Sequence, residues 1–175
     1  MPIAEYCRAI AEAVRDTVGG SLDLRLGMEP GRAMVAGAGV TLYEVGVVKR
    51  ASTGRKYVAV DGGLSDNPRP AFYGSKYELV WHCRDGQGEE PVTVSGKHCE
   101  TDTLFPDVTA PKGVQAGDIL QVLGTGAYNS AMASNYNRLS RPATVLIREN
   151  GRADVAQVRE TYDQVLQRER LPEGL

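Results

Sequence analysis

The sequence predicts a mainly β fold, a β-sandwich or barrel, with one α/β unit in front of it. Between residues 40 and 159, short runs rich in Val, Ile, Leu, Thr and Tyr alternate with turns that contain Gly, Asp and Asn. The first 39 residues differ, because their apolar residues recur first at helical spacing and then with period two. We therefore expect two parts, residues 1–39 and a β-domain over residues 40–175.

Composition and charge exclude several classes of protein. The 175 residues suffice for one domain with a core, and 20 basic against 22 acidic residues give a net charge of −2 without a basic block. Nucleic acid and membrane are therefore not expected as partners, and no apolar run approaches the roughly 20 residues of a membrane span. The N-terminus lacks a secretory signal pattern, and three irregularly spaced cysteines (Cys7, Cys83 and Cys99) favour a reducing compartment. We expect a cytoplasmic protein.

The first part begins with an amphipathic helix. Apolar residues recur at helical spacing from Ile3 to Val18, and Gly19-Gly20 is a typical C-terminal cap. Residues 22–26 then alternate between apolar and polar, as a short strand does. Because one helix and one strand form an incomplete layer, we expect the apolar face of the helix to be exposed or covered by another chain.

Glu29-Pro30-Gly31-Arg32 follows that strand and precedes a small apolar run, residues 33–40, which favours a short helix. A glycine and free backbone N–H groups at such a turn suit a phosphate. The guanidinium of Arg32 pairs well with phosphate or carboxylate. The alternative is a capped turn that carries a surface arginine.

The second part contains the predicted strands, at residues 40–49, 56–61, 77–83, 91–95, 118–123, 143–148 and 152–159. Asn150-Gly151 suits a two-residue primed turn and therefore predicts a hairpin between the last two strands. Residues 161–167 predict a closing helix.

Two polar loops follow strand-like runs. Residues 65–73 hold Arg69 between two prolines, and a helical turn would put Tyr73 on the same face, a pair that suits a substrate carboxylate. In residues 124–128, two glycines place Tyr128 at a strand end where backbone can approach a ligand closely. A compact polar stretch, residues 129–137, follows and favours an ordered loop. The alternative for the first loop is a rigid surface turn.

A third loop, Ser95-Gly96-Lys97-His98-Cys99-Glu100, sets a thiol beside a carboxylate. A thiol with an ordinary pKa near 8.5 is mostly protonated at neutral pH, so Cys99 could donate a proton, and Glu100 could bind an ammonium group. The alternative is a small buried apolar residue beside a solvated acid. No metal site is expected, because the pairs His82-Cys83 and His98-Cys99 lack zinc-site spacing and adjacent strand residues face opposite ways.

In combination, these motifs closely resemble those of the diaminopimelate decarboxylases, pyridoxal-phosphate enzymes of the alanine-racemase-like class. The resemblance runs from about Leu24 to Leu166. It rests on Glu-Pro-Gly-Arg at 29–32, Val-Asp-Gly-Gly-Leu-Ser-Asp-Asn-Pro-Arg-Pro-Ala-Phe-Tyr at 60–73, Gly-Lys-His-Cys-Glu at 96–100, Thr-Gly-Ala-Tyr at 125–128 and Met-Ala-Ser-Asn-Tyr-Asn at 132–137. Related ornithine and arginine decarboxylases usually carry another residue where Glu100 stands, which favours the diaminopimelate branch.

The resemblance implies a role for each loop. Glu29 to Arg32 would hold the phosphate of pyridoxal 5'-phosphate, and Arg32 would also reach the substrate. Tyr128 would contact both cofactor and substrate. The remaining residues would act on the amino acid substrate: Arg69 and Tyr73 on its distal carboxylate, Glu100 on its distal ammonium, and Cys99 as proton donor. The resemblance also implies a homodimer in which Cys99 and Glu100 enter the partner subunit's pocket.

The chain departs from this family in one large respect. The cofactor-bearing lysine, the catalytic histidine and the glycine-rich phosphate loop of the family belong to an N-terminal (β/α)8 barrel, of which residues 1–39 resemble only the last helix, strand and loop. We therefore expect the C-terminal portion of a decarboxylase that is inactive alone. The alternatives are a decarboxylase of another basic amino acid, of ornithine or arginine type, and a non-catalytic β-domain that pairs with a decarboxylase.

Overall fold

The computed structural model of the protein describes residues 2–19, 25–84 and 86–174. Eight strands occur in these ranges: β1 Val40–Arg50, β2 Lys56–Val60, β3 Leu79–His82, β4 Glu89–Ser95, β5 Thr103–Pro111, β6 Ile119–Leu123, β7 Thr144–Ile147 and β8 Ala153–Gln157. The α-helices are α1 Ile3–Val18, α2 Gly31–Val35, α3 Arg69–Tyr73, α4 Asn129–Met132 and α5 Tyr162–Leu166, and 3-10 turns span Ala36–Ala38 and Tyr136–Arg138.

Six strands form one curled sheet in the order β3-β6-β1-β2-β4-β5, and β7 and β8 form a separate hairpin. The edge strands β3 and β5 approach one another, since Trp81 Nε1 on β3 donates to the carbonyl of Thr109 on β5 at 2.9 Å. Tyr77, just before β3, packs edge-on against Phe105 of β5 with ring centroids 6.1 Å apart. The sheet thus curls into a half-barrel, and the prediction of a mainly β sandwich or barrel domain is confirmed.

The core fills the inside of this curl. Because side chains alternate across a strand, every second residue of β2 and β6 is buried, including Val58, Leu120 and Val122, none of which has any exposed surface. Six residues on strands β1, β4 and β5 extend this core, namely Tyr43, Val45, Val92, Val94, Leu104 and Phe105. The apolar runs in the sequence thus predict these strands, and the structure shows which face of each is buried.

β5 is the strand that the sequence pattern missed. It contains Pro106 and ends at Pro111, and Asp107 within it has a φ of 51°. Proline and left-handed backbone normally argue against a strand. Here they are tolerated because β5 pairs only with β4 and lies at the edge of the sheet. On the unpaired side of an edge strand, a proline that lacks an N–H costs no hydrogen bond between strands.

Two local predictions were wrong in detail. The short helix expected over residues 33–40 begins earlier, at Gly31, and ends at Ala38, because Val40 opens β1 and pairs with Leu123. The hairpin between β7 and β8 is present, but its turn has three residues. Gly151 alone has positive φ there (80°). The Arg148 carbonyl accepts from the Gly151 N–H, and the Arg148 N–H donates to the Arg152 carbonyl, so residues 149–151 form the turn. Asn150 thus keeps an ordinary φ, and the glycine forms the bulge.

Helix α1 matches the prediction for residues 3–18, and Gly19 ends it in the left-handed conformation, with φ 58°. None of its residues is buried: Ile3 is 42% exposed, and Ile10, Ala11 and Val14 are half-buried, so the covering of this apolar face by another chain stays a prediction. Of the strand expected over residues 22–26, residues 22–24 lie outside the described ranges, and Arg25 and Leu26 are not in a strand. The division at residues 39 and 40 stays a prediction. No helix in the described ranges is long and apolar enough to cross a membrane.

The segment after β8 is fixed by a carboxylate. Glu160 accepts hydrogen bonds from the backbone N–H and Nε of Arg141, both at 2.9 Å, and from Nδ2 of Asn135 at 2.6 Å. The bond from Arg141 is the main reason why the pKa of Glu160 is lowered to about 2. A carboxyl whose pKa is lowered by folding stabilises the fold above its unfolded pKa of about 4.3, and this contribution is lost as the pH falls towards about 2.

We therefore expect the melting temperature of the protein to fall more steeply on acidification than that of Glu160→Gln. The variant should be less stable at neutral pH and should approach the wild type only near pH 2. Thermal unfolding followed by circular dichroism across this range measures the difference. Parallel pH curves for the two proteins would contradict the role of Glu160.

Candidate active site

The loop after β2 is anchored inside the sheet. The carboxylate of Asp66 accepts a hydrogen bond from the Tyr43 hydroxyl at 2.6 Å and from the Gly63 N–H at 2.8 Å. Burial is the main reason why the pKa values of both Tyr43 and Asp66 are raised. A side chain at Gly62 would overlap the Tyr43 ring, with a Cβ only 2.0 Å from it. Glycine at this position therefore allows the loop to pack directly against the sheet.

Helix α3 presents Arg69 between two phenol rings. Its guanidinium lies over the ring of Tyr73, with Cζ 5.3 Å from the centroid, and over the ring of Tyr128 at 4.9 Å. These cation–π contacts hold the cation without neutralising it. Within the described residues, no carboxylate forms an ion pair with Arg69. Both tyrosines are largely exposed, so this charge is available to an anionic ligand.

Tyr128 is brought to Arg69 by close contact between two backbone segments. A Cβ on Gly39 would lie 2.4 Å from the Cα of Gly126, so this crossing needs glycine. Across it the N–H of Gly126 donates to the carbonyl of Ala36 at 3.1 Å. Tyr128 itself has a φ of 70°, and its hydroxyl lies 4.0 Å from the position of a Cβ on Gly31. The Glu-Pro-Gly-Arg turn therefore borders on the Tyr128 hydroxyl.

The loop that carries Cys99 is held by a buried hydrogen bond between His98 and Asp102. Asp102 accepts hydrogen bonds from Nδ1 of His98 and from the Leu64 N–H, the latter at 3.1 Å. The side chains of His98 and Asp102 are 0% and 5% exposed. A Cβ on Gly96 or Gly63 would come within 2.2 Å of the Asp102 carboxylate. Asp102 thus ties this loop to the one that carries Arg69.

Cys99 and Glu100 face outwards on this loop, and two neighbours contact them. The Tyr136 hydroxyl donates to Glu100 Oε1 at 2.5 Å. Asn137 Nδ2 lies 3.4 Å from Cys99 Sγ and 3.3 Å from Glu100 Oε2. The bond from Tyr136 is the main cause of a lowered pKa at Glu100, and the same bond raises the pKa of Tyr136. The sequence indicated only an ordered loop at Tyr136 and Asn137, although the Met-Ala-Ser-Asn-Tyr-Asn motif includes both.

The structure brings the sequence-predicted residues into two adjoining groups. The first is Gly31, Arg69, Tyr73 and Tyr128, and the second is Cys99 and Glu100. The segment between α4 and β7 connects them, because Ser134 donates its N–H to the Ser65 carbonyl at 2.8 Å. Arg32 and Glu29 are exposed beside the first group, and Arg32 has no ion-pair partner within the described residues. The roles of all these residues as cofactor or substrate ligands stay predictions.

Other places are weaker candidates for a site. A cleft of about 330 Å³ lies beside β4, but the charges that line it are paired, Arg50 with Glu90 at 2.5 Å and Arg55 with Asp107 at 3.1 Å. The two His-Cys pairs do not combine into a ligand set, since His82 bonds to Gln121 and His98 to Asp102. Within residues 2–19, 25–84 and 86–174, no three His, Cys, Asp or Glu side chains are grouped to hold a metal.

Comparison with known proteins identifies relatives of this arrangement. The family described as pyridoxal-dependent decarboxylase, C-terminal sheet domain, matches residues 23–126. The diaminopimelate decarboxylase of Actinosynnema pretiosum is 56% identical over 146 residues, which are 83% of this chain and 33% of that protein. The diaminopimelate decarboxylase of Bacillus subtilis is 45% identical over 166 residues, 93% of this chain and 37% of the relative.

Solved structures give the same result. The diaminopimelate decarboxylase of M. jannaschii superposes with a TM-score of 0.75 at 34% identity, over 81% of this chain and 32% of that one. That of Helicobacter pylori, complexed with L-lysine, has a TM-score of 0.78 at 27% identity, over 95% of this chain and 39% of that one. The chain thus spans about a third of the length of the relatives that it matches.

Proposed function

Because the chain belongs to the pyridoxal-dependent decarboxylases and matches their C-terminal sheet domain, we propose that it forms the C-terminal portion of a diaminopimelate decarboxylase. The enzyme would convert meso-2,6-diaminopimelate into L-lysine and carbon dioxide. The observation that carries this proposal is that the β-domain holds two kinds of binding group on anchored loops: Arg69, which forms no ion pair among the described residues, and the thiol–carboxylate pair at Cys99 and Glu100. A diamino diacid offers the carboxylate and the ammonium group that such an arrangement can bind.

The residues near Gly31 fit the phosphate side of pyridoxal 5'-phosphate. A Cβ on Gly31 would meet nothing nearer than the Tyr128 hydroxyl at 4.0 Å, so the turn leaves space. The exposed guanidinium of Arg32 and the phenol of Tyr128 would bind an anion there, with Glu29 and Pro30 shaping the turn. When bound, this cofactor supplies the electron sink for the loss of carbon dioxide.

The distal end of the substrate would be held by residues of both subunits, Arg69 and Tyr73 from one and the Cys99 loop from the other. Arg69 has a planar donor fork that binds a carboxylate with two parallel hydrogen bonds, and Tyr73 adds a hydroxyl beside it. Glu100 stays ionised under the influence of Tyr136 and would bind the distal ammonium group. Cys99 would hold the proton at Sγ that replaces the lost carboxylate on the substrate carbon.

An assembly is part of the proposal. The proposed ligand-binding side chains lie on an open surface, with Tyr73 66% and Tyr128 47% exposed, so another body has to exclude water from the reaction. We propose a homodimer in which Cys99 and Glu100 complete the partner subunit's pocket. Cys7, Cys83 and Cys99 are free thiols in the structure, which supports a reducing, cytoplasmic location.

The proposal is tested by joining this chain to the C-terminal end of a family (β/α)8 barrel and measuring carbon dioxide release. We expect release from meso-diaminopimelate, at a rate well above that with ornithine or arginine. The chain alone with pyridoxal phosphate should release none, because the family's cofactor-bearing lysine belongs to the barrel. Release from ornithine or arginine instead would favour the other basic amino acid decarboxylases. An inactive joined enzyme would favour a non-catalytic β-domain. Carbon dioxide release by the chain alone would contradict the proposal that the barrel is required for activity.

A further inference from the structure

Tyr136 is the residue in the site that neither composition nor spacing singled out. Its hydroxyl donates to Glu100 Oε1 at 2.5 Å, although the two residues lie 36 positions apart. Its ring stacks on that of His98, with centroids 5.7 Å apart and an angle of 24° between the planes. Tyr136 therefore contacts the Cys99 loop twice, once through its ring and once through its hydroxyl.

We propose that Tyr136 is a positioning residue whose hydroxyl fixes the Glu100 carboxylate and thereby sets how tightly the enzyme binds the distal ammonium group of its substrate. This inference rests on the proposed function and deepens it. Tyr136 itself makes no contact with the substrate and acts through Glu100.

A buried support holds the ring of Tyr136 in place. His98 is fully buried, and its Nδ1 bonds to Asp102. Its Nε2 is buried with no hydrogen-bond partner within the described residues. The imidazole of His98 thus offers Tyr136 a rigid face rather than a second polar contact.

Among the described residues, the other contacts of Glu100 restrain it less. Its side chain lies on an exposed loop, Asn137 Nδ2 is 3.3 Å from its second oxygen, and the Cys99 thiol and the Glu100 backbone N–H that also interact with it belong to the same loop. An unrestrained carboxylate loses rotamer freedom when it binds a cation, which weakens binding. A carboxylate already held in one orientation binds the ammonium group without that cost.

Tyr136→Phe is the informative change, since it keeps the ring on His98 and removes only the hydroxyl. In the decarboxylase formed by this chain and its barrel, we expect KM for meso-diaminopimelate to rise about tenfold, while kcat stays within about threefold. The acid limb of the kcat/KM profile should move to higher pH, because the bond that keeps Glu100 ionised is lost. A structural role would lower kcat and stability without moving this limb.

A double-mutant cycle identifies Glu100 as the mediator. In a Glu100→Gln background, Tyr136→Phe should change KM by less than about twofold. With 2-aminopimelate, which lacks the distal ammonium group, Tyr136→Phe should have little effect in either background. The matched control is Tyr57→Phe, because Tyr57 is half-buried and its hydroxyl has no hydrogen bond among the described residues.

The outcomes separate the two proposals. An enzyme that releases carbon dioxide from meso-diaminopimelate but shows additive effects of Tyr136→Phe and Glu100→Gln overturns the positioning role alone. The positioning role is also overturned if Tyr136→Phe raises KM for 2-aminopimelate as much as it raises KM for meso-diaminopimelate. A parent enzyme that does not act on meso-diaminopimelate overturns the proposed function, and the inference with it.

Discussion

Replacement of Cys99 by alanine is expected to lower kcat of the joined decarboxylase about 100-fold or more, with KM changed less than threefold. A positioned proton donor contributes about 10²–10⁴-fold to a rate, and alanine leaves no group at this place that can donate. KM should be preserved because Arg69 and Glu100, which would bind the distal end of the substrate, are unchanged. Formation of L-lysine measures the effect, since it requires the proton as well as the loss of carbon dioxide.

The chain offers a matched control for this change. Cys7 is also an exposed free thiol, but it lies on α1. Cys7→Ala should leave kcat within twofold of the parent enzyme. Equal losses in both variants, or nearly full activity of Cys99→Ala, would show that Cys99 does not donate the proton.

Replacement of Gly96 by alanine is expected to lower the free energy of unfolding by about 3 kcal/mol, at the upper end of the usual range for overpacking. The added Cβ would lie 2.1 Å from Asp102 Oδ2 and 2.7 Å from the Cα of Gly63, so neither backbone nor carboxylate has room to move aside. Displacing Asp102 would also leave the buried His98 without its partner. The Cys99 loop would lose its attachment, and activity of the joined enzyme should fall together with stability.

Gly37→Ala is the control, because nothing lies within 4 Å of a Cβ at Gly37 and its φ is not positive. This variant should unfold within about 0.5 kcal/mol of the wild type. Urea unfolding followed by fluorescence of Trp81 compares the three proteins. A Gly96→Ala protein as stable as the control would show that the packing around Asp102 is looser than the structure describes.

The sequence predicted the strands and helices in which apolar residues form a continuous run or recur at a regular spacing. The apolar, β-branched runs of β2 and β6 and the helical spacing of apolar residues in α1 are such patterns, and the structure confirms these strands and this helix. The pattern failed at β5, where Pro106 and Asp107 disguise a strand. Only its place at the edge of the sheet makes these residues compatible with pairing.

Candidate residues of the site were predictable where a few consecutive residues form a combination that is rare in ordinary loops. Arg69 between two prolines and Cys99 beside Glu100 are examples. Tyr136 was not predictable in this way, because an isolated tyrosine in a polar loop has many ordinary explanations. Its role depends on a partner 36 residues away, and no local periodicity reports such a contact.

Apolar runs and turn residues act over a few neighbouring positions, so they were enough to predict a β-domain with three chemically unusual loops. Which of these loops meet depends on contacts between residues far apart in the chain. The strand order β3-β6-β1-β2-β4-β5 and the curl of the sheet bring Arg69 against Tyr128, and the same arrangement sets Tyr136 against Glu100. These contacts depend on backbone crossings such as Gly39 with Gly126 and on the buried Asp102, whose partners are distant in the chain.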